Sequence, residues 1–255
     1  MKIWAMGDLH LSVGVPEKKM DVFGPEWVGY MDNIAANWRS AVAPEDLVLI
    51  PGDISWAMKL SEVEKDFAWI EALPGKKVMI RGNHDYWWSS VSKVKKILPP
   101  SCSIIQNDAV TIENITIGGA RLWDTPEYHF TQIIDVKDGQ MKSEEKTEDE
   151  KIFLRELGRL ERSLKAMDQG AHLKIVMTHY PPIGLDLKPS RVSKMLETYG
   201  VNLCVFGHLH SVKQEGIRLF GKRGKIGYYL TSADYLNFSP FLLSDEEILG
   251  KSSLN

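Results

Sequence analysis

Thiol chemistry is nearly missing: Cys102 and Cys204 are the two cysteines of the 255-residue chain. They form no CxxC pair and are too few for a disulfide framework, which excludes the small stapled secreted scaffolds. No apolar run approaches the ~20 residues that cross a bilayer. Charge of one sign is also lacking. The net charge of −3 leaves no electrostatic footprint for nucleic acid or an anionic membrane surface, though it does not exclude a nucleic-acid substrate held by metal ions. Internal repeats, low-complexity tracts and Pro/Gly linkers are absent, so one domain over residues 1–255 is expected. A strand with polar residues at its end starts at the N-terminus, where a signal peptide would lie, and a cytoplasmic location is expected. What is present is ordinary for a globular protein with a sizeable core: 44% hydrophobic and 25% charged residues.

Short apolar runs recur with turn residues after them: Lys2–Met6, Leu47–Ile50, Val78–Ile80, Lys174–Thr178, Asn202–Phe206 and Tyr228–Leu230. They read as interior strands. Helical spacing lies between them at Trp27, Met31, Ile34 and Trp38, and at Val63, Phe67 and Ile70 behind a capping box at Ser61–Glu64. The alternation predicts a layered α/β fold. "SIIQNDAVTIENITIGG" reads as a hairpin or meander turning at Glu113-Asn114, hence a mixed sheet or two sheets. Beyond a polar loop, Thr147–Glu150 reads as a second capping box, and Phe153, Leu157, Leu160, Leu164 and Met167 predict one more helix. A mobile flap over residues 121–150 is the sharper reading of that loop.

The strands end unusually. Met6 is followed by Gly7-Asp8-Leu9-His10, Ile50 by Pro51-Gly52-Asp53, and Ile80 by Arg81-Gly82-Asn83-His84-Asp85. Met177 is followed by Thr178-His179, and Phe206 by Gly207-His208-Leu209-His210. Five of the seven histidines fall at these ends; His129 and His172 do not. In extended chain, positions i and i+2 point the same way, so Asp8 and His10 are expected to converge, as are His208 and His210. Ligands of α/β sheets bind beyond the carboxyl ends of the strands. Imidazoles and carboxylates without thiolates suit zinc, manganese or iron, with magnesium where oxygen ligands dominate. The expectation is a metal between Asp8 and His10.

In order, D-x-H, GD, GNHD, H and GHxH resemble the calcineurin-like metallophosphoesterases, in a match spanning residues 8–210. That resemblance implies a four-layer α/β/β/α sandwich of two mixed sheets flanked by helices, with a dinuclear metal site at the strand C-terminal rim. It implies Asp8, His10 and His210 on one metal, Asn83, His179 and His208 on the other, and Asp53 bridging both. His84 matches the family's catalytic histidine and ligates neither. Two divalent ions are implied, manganese first, with iron, zinc or magnesium as alternatives. Such a pair, ~3.5–4 Å apart, generates a bridging hydroxide that attacks a phosphodiester or phosphomonoester.

The departures from the family pattern are specific. In "GDISWAM", Trp56 and Ala57 stand where the protein Ser/Thr phosphatases keep an aspartate that orients the histidine and an arginine that clamps phosphate. Backbone carbonyls or Asp85 are the candidates to orient His84. Trp56 also replaces the tyrosine of purple acid phosphatases, leaving a resemblance to the bacterial phosphohydrolase and phosphodiesterase branch. Trp56, Trp87, Trp88 and Trp123 lie near the motifs, mostly as packing. Arg121 and Trp123 are the candidate substrate contacts, and Lys213, Arg218, Lys222, Arg223 and Lys225 mark a solvated hairpin. The expected partner is a small phosphoester, with nucleic acid and membrane not expected and the oligomeric state open. The alternatives are a catalytically weak scaffold of the same fold, or a nuclease.

Overall fold

The computed structural model describes residues 1–134, 146–212 and 220–243. Eleven strands form two mixed sheets, with five α-helices among the described residues. In the first sheet β1 (Ile3–Ala5), β2 (Leu47–Ile50), β3 (Lys76–Met79) and β4 (Cys102–Ile104) run parallel, and β11 (Phe241–Leu242) pairs antiparallel with β1. The second has the order β5 (Val110–Ile112), β6 (Ile115–Ala120), β7 (Leu173–Thr178), β8 (Leu203–Phe206), β10 (Ile226–Leu230), β9 (Gly221–Arg223), with both edge strands antiparallel.

Side-chain alternation explains the layering. Leu47 and Leu49 enter the core between the sheets, while Val48 and Ile50 face the helices α1 (Tyr30–Ala41), α2 (Leu60–Glu71) and α3 (Val91–Ile97). On the other sheet Ile175, Met177, Leu203 and Val205 face inward. Val176, Cys204 and Phe206 face outward, against α4 (Lys146–Ala166) and α5 (Arg191–Thr198). Strands covered on both faces must be apolar throughout, which is why the runs are continuous. The order is helix, sheet, sheet, helix.

Three details differ from the sequence reading. Trp27 lies in a separate 3-10 turn, Pro25–Trp27, capped by glycine, and α1 begins only at Tyr30. Helix α2 starts before Ser61: Glu62 accepts from the amides of Met58 and Lys59 at 2.8 and 3.1 Å, so the capping carboxylate is Glu62 and not Glu64. The stretch from Ser103 is not one meander. Its first residues complete β4, the chain then crosses between sheets, and Glu113, at φ 54°, turns the β5–β6 hairpin. The Thr147 side chain of the expected second capping box, residues 135–145 of the expected flap, and Lys213 and Arg218 lie outside the described residues. Within the described part of that segment, Tyr128 donates to the Pro181 carbonyl at 2.7 Å.

Candidate metal centre

Both sheets deliver residues to one rim, where Gly7 donates to the Thr231 carbonyl at 2.7 Å and accepts from Ala233. Asp8 and His10 do meet there, but not through extended chain. Strand β1 ends at Ala5, and Asp8 (φ 54°), His10 (44°), Asp53 (50°) and His208 (72°) all hold left-handed backbone. Each such residue costs about 1 kcal/mol or more, a cost that recurs where geometry serves function. Two glycines admit the carboxylates: a Cβ at Gly207 would lie 2.1 Å from Asp8 Oδ2, and one at Gly82 2.1 Å from Asp53 Oδ1.

Seven donors converge. His10 Nε2 and His210 Nε2 are 3.2 Å apart, and His210 Nε2 lies 3.7 Å from Asp8 Oδ1. Asn83 Oδ1 stands 2.5 Å from His179 Nε2 and 3.1 Å from His208 Nδ1. Asp53 Oδ2 lies between the sets, 3.7 Å from His10 Nε2 and 3.5 Å from His179 Nε2. Asp8, His10 and His210 form one group able to hold an ion, and Asp8, Asp53 and His179 another. His179 Nδ1 faces the Pro51 carbonyl at 3.0 Å and Nε2 the amide oxygen of Asn83, and a neutral ring donates to only one of these two oxygens; donation to Pro51 leaves Nε2 as a lone pair able to ligate a cation.

The electrostatics of three of the four imidazoles agree. Burial, then the neighbouring imidazoles, holds His10 and His208 well below the usual histidine range. His179 is lowered to about 3, mainly by burial. These rings are neutral at pH 7, the form that ligates metal. Burial raises Asp8 to about 8 and also raises Asp53, so the centre disfavours uncompensated negative charge. His210 moves up to about 9: burial opposes its charge, but the hydrogen bond to Asp234, 2.9 Å from Nδ1, and the charges of Asp8, Asp234 and Asp53 together outweigh it. The donor set fits a pair of divalent cations.

A family model described as calcineurin-like phosphoesterase matches residues 1–212. The chain belongs to the calcineurin-like phosphoesterase family. Gene 66 protein of Mycobacterium phage D29 is 32% identical over 83 residues, covering 32% of this chain and 40% of that protein. The chain thus matches about two fifths of that curated relative's length. Among solved structures, a protein of Aquifex aeolicus, AQ665, superposes with TM-score 0.46 at 13% identity, covering 94% of this chain and 95% of that one. Phosphopantetheinyl hydrolase (PptH) of Mycobacterium tuberculosis gives 0.47 at 12% identity over 91% and 88% of the two chains.

Within this calcineurin-like centre, His84 is not oriented by Asp85. The buried Asp85 carboxylate accepts from the amides of Gly82, Ile54 and Ser55 at 2.7, 2.9 and 3.2 Å and from Trp87 Nε1 at 3.1 Å, locking one loop to the next. Nor does a backbone carbonyl orient it: His84 Nδ1 is buried without a partner among the described residues. The ring is held by aromatic contacts, with Trp56 at 4.7 Å between centroids, His10 at 5.7 Å and Tyr86 at 6.0 Å. Trp56 also stacks on His10 at 4.9 Å. The tryptophan that breaks the phosphatase pattern is the histidine's support.

Arg121 and Trp123 border the centre from the second sheet. The Arg121 carbonyl accepts from His179 N at 3.2 Å, and its guanidinium lies over the Trp123 ring and 3.3 Å from Glu156. Trp123 packs on Tyr180, and Tyr180 on the ring of His208. Trp87 and Trp88 are core, while His129 and His172 are exposed. Asp234, which holds His210 and accepts from Ser211 N at 2.8 Å, escaped the sequence reading. Its signal was the same punctuation: Tyr228–Leu230 is an apolar run, and the carboxylate follows in Thr231-Ser232-Ala233-Asp234.

Proposed function

We propose that the chain is a metal-dependent hydrolase of small phosphomonoesters or phosphodiesters. The observation that carries this is Asp53 Oδ2, one carboxylate oxygen standing between His10 and His179 and so between two donor sets. Asp8, His10 and His210 would hold one cation and Asn83, His179 and His208 the other, with Asp53 placed to serve both. Divalent cations bound there supply Lewis acidity, which acidifies water and draws charge from phosphoryl oxygens. Nitrogen and oxygen donors without thiolate suit zinc, manganese or iron, with magnesium where oxygen ligands dominate, and manganese is placed first on the family resemblance. His84 donates a proton to the leaving oxygen, with its ring aimed by Trp56 and Tyr86. Asp234 keeps the Nδ1 proton of His210 in place, so that Nε2 faces the centre. Arg121 and Trp123 border the substrate.

Every matched donor position is filled, which favours an enzyme over a scaffold. The absence of a basic tract favours a small substrate over nucleic acid. The test is hydrolysis of bis-aryl phosphate, aryl monophosphate and single-stranded DNA after manganese supplementation, with Asp53→Asn alongside. We expect cleavage of an aryl ester, loss of that activity in Asp53→Asn, and intact DNA. Turnover in Asp53→Asn equal to that of the unaltered chain sinks the reading. Failure on all three substrates favours the scaffold, and cleaved DNA favours the nuclease.

A further inference from the structure

Next to the metal loops, beyond the carboxyl ends of β3 and β6, lies a cleft lined by Arg81, Gln106, Asn107, Arg121, Glu156 and Arg159. Three guanidinium groups line it beside one carboxylate. The buried Glu156 accepts through Oε1 from Arg121 Nη2 at 3.3 Å and from Arg159 Nη1 at 3.1 Å. The Arg81 side chain makes no hydrogen bond or ion pair among the described residues, and its Nε, like that of Arg121, is buried without an acceptor. Three positive charges against one negative is a local excess in a chain whose net charge is −3.

As a folding device this cluster is poor. Arg81 is half-buried, with its Nε shut away from water and no acceptor for it among the described residues, and an apolar side chain of similar volume would serve packing better. As an anion site it is well made. Guanidinium forks match the oxygen geometry of phosphate, and Glu156 holds two of them while leaving donors free. The cleft is also tied to the metal loops. Arg81 directly precedes Gly82-Asn83, and the Arg121 carbonyl accepts from the amides of His179 and Tyr180.

We propose that this cleft binds a second phosphate-type group of the substrate, remote from the ester that is cut. The substrates would then carry two such groups, an inference that rests on the hydrolase reading above. Two measurements separate its fate from that reading. The first is calorimetric titration of metal-depleted protein with inorganic pyrophosphate. Binding is expected in the unaltered chain, weakened about 10- to 100-fold in Arg81→Gln, the worth of one lost charge-assisted bond. Arg159→Gln serves as the second variant where Arg81→Gln fails to fold.

The second measurement compares a nucleoside 3′,5′-bisphosphate with the 5′-monophosphate in manganese-loaded protein. Arg81→Gln is expected to raise KM for the bisphosphate 10- to 100-fold more than for the monophosphate. No pyrophosphate binding, or equal binding by the unaltered chain and both variants, overturns the site. Arg81-dependent pyrophosphate binding with no selective change in KM overturns its assignment to the substrate and leaves a site for free anion. A chain that hydrolyses nothing yet binds pyrophosphate through Arg81 keeps the site and loses the hydrolase reading.

Discussion

Residues at this centre act through their partners. His84 has ring neighbours but no hydrogen-bonded carboxylate, so its aim depends on Trp56. His84→Ala is expected to retain its metal and lose ~10²–10⁴-fold in turnover, read by metal analysis together with steady-state rates. Equal turnover would remove His84 from the mechanism. Asp234 works through His210, 2.9 Å away. Asp234→Ala is expected to weaken manganese affinity about 10- to 100-fold, measured by titration into metal-free protein, with the fold preserved by circular dichroism. Unchanged affinity would make Asp234 a loop anchor only, through Ser211.

At the scale of elements, the centre is a set of loops that need one another. Asp85 gathers four donors from the loops after β2 and β3, and burial raises its pKa to about 7. Asp85→Ala strands those donors and is expected to destabilise the fold by about 3 kcal/mol or more in urea titrations. Gly207 has another task, since any Cβ there strikes the Asp8 carboxylate. Gly207→Ala is therefore expected to lose metal binding far out of proportion to its loss of stability. A variant that binds manganese normally would show that the β8 loop can shift aside.

For the whole molecule, the shared inner core decides behaviour. Ile3, Leu49 and Val78 of one sheet pack with Ile117, Ile175 and Val205 of the other, so neither sheet keeps a complete core alone. Ile175→Ala, fully buried in that layer, is expected to cost about 2–5 kcal/mol and still to unfold in one transition, with fluorescence and circular dichroism coincident. Two separate transitions would mean that the sheets fold independently. Because the donor loops come from both sheets, manganese at 100 times its dissociation constant is expected to add about 2.7 kcal/mol, removed by chelation.

Much of this was readable in one dimension, because a strand covered on both faces has to be a short apolar run, and its end is where polarity must resume. The five punctuated ends, the histidines gathered on them and the helical face from Phe153 to Met167 are local patterns, and local patterns survive in a string of letters. What Trp56 stacks on, which carboxylate holds His210, and that Asp85 serves the amides of two loops are not local. Asp234 and His210 are brought together by the pairing of β10 with β8, and Arg81 lines one cleft with Glu156 of α4 only because the two sheets pack face to face. Even the meeting of Asp8 and His10, correct as an outcome, comes from left-handed backbone that no side-chain alternation announces. Sequence named the side chains that meet; the packing of one sheet on the other chose their distances, because those distances are set by atoms far apart along the chain.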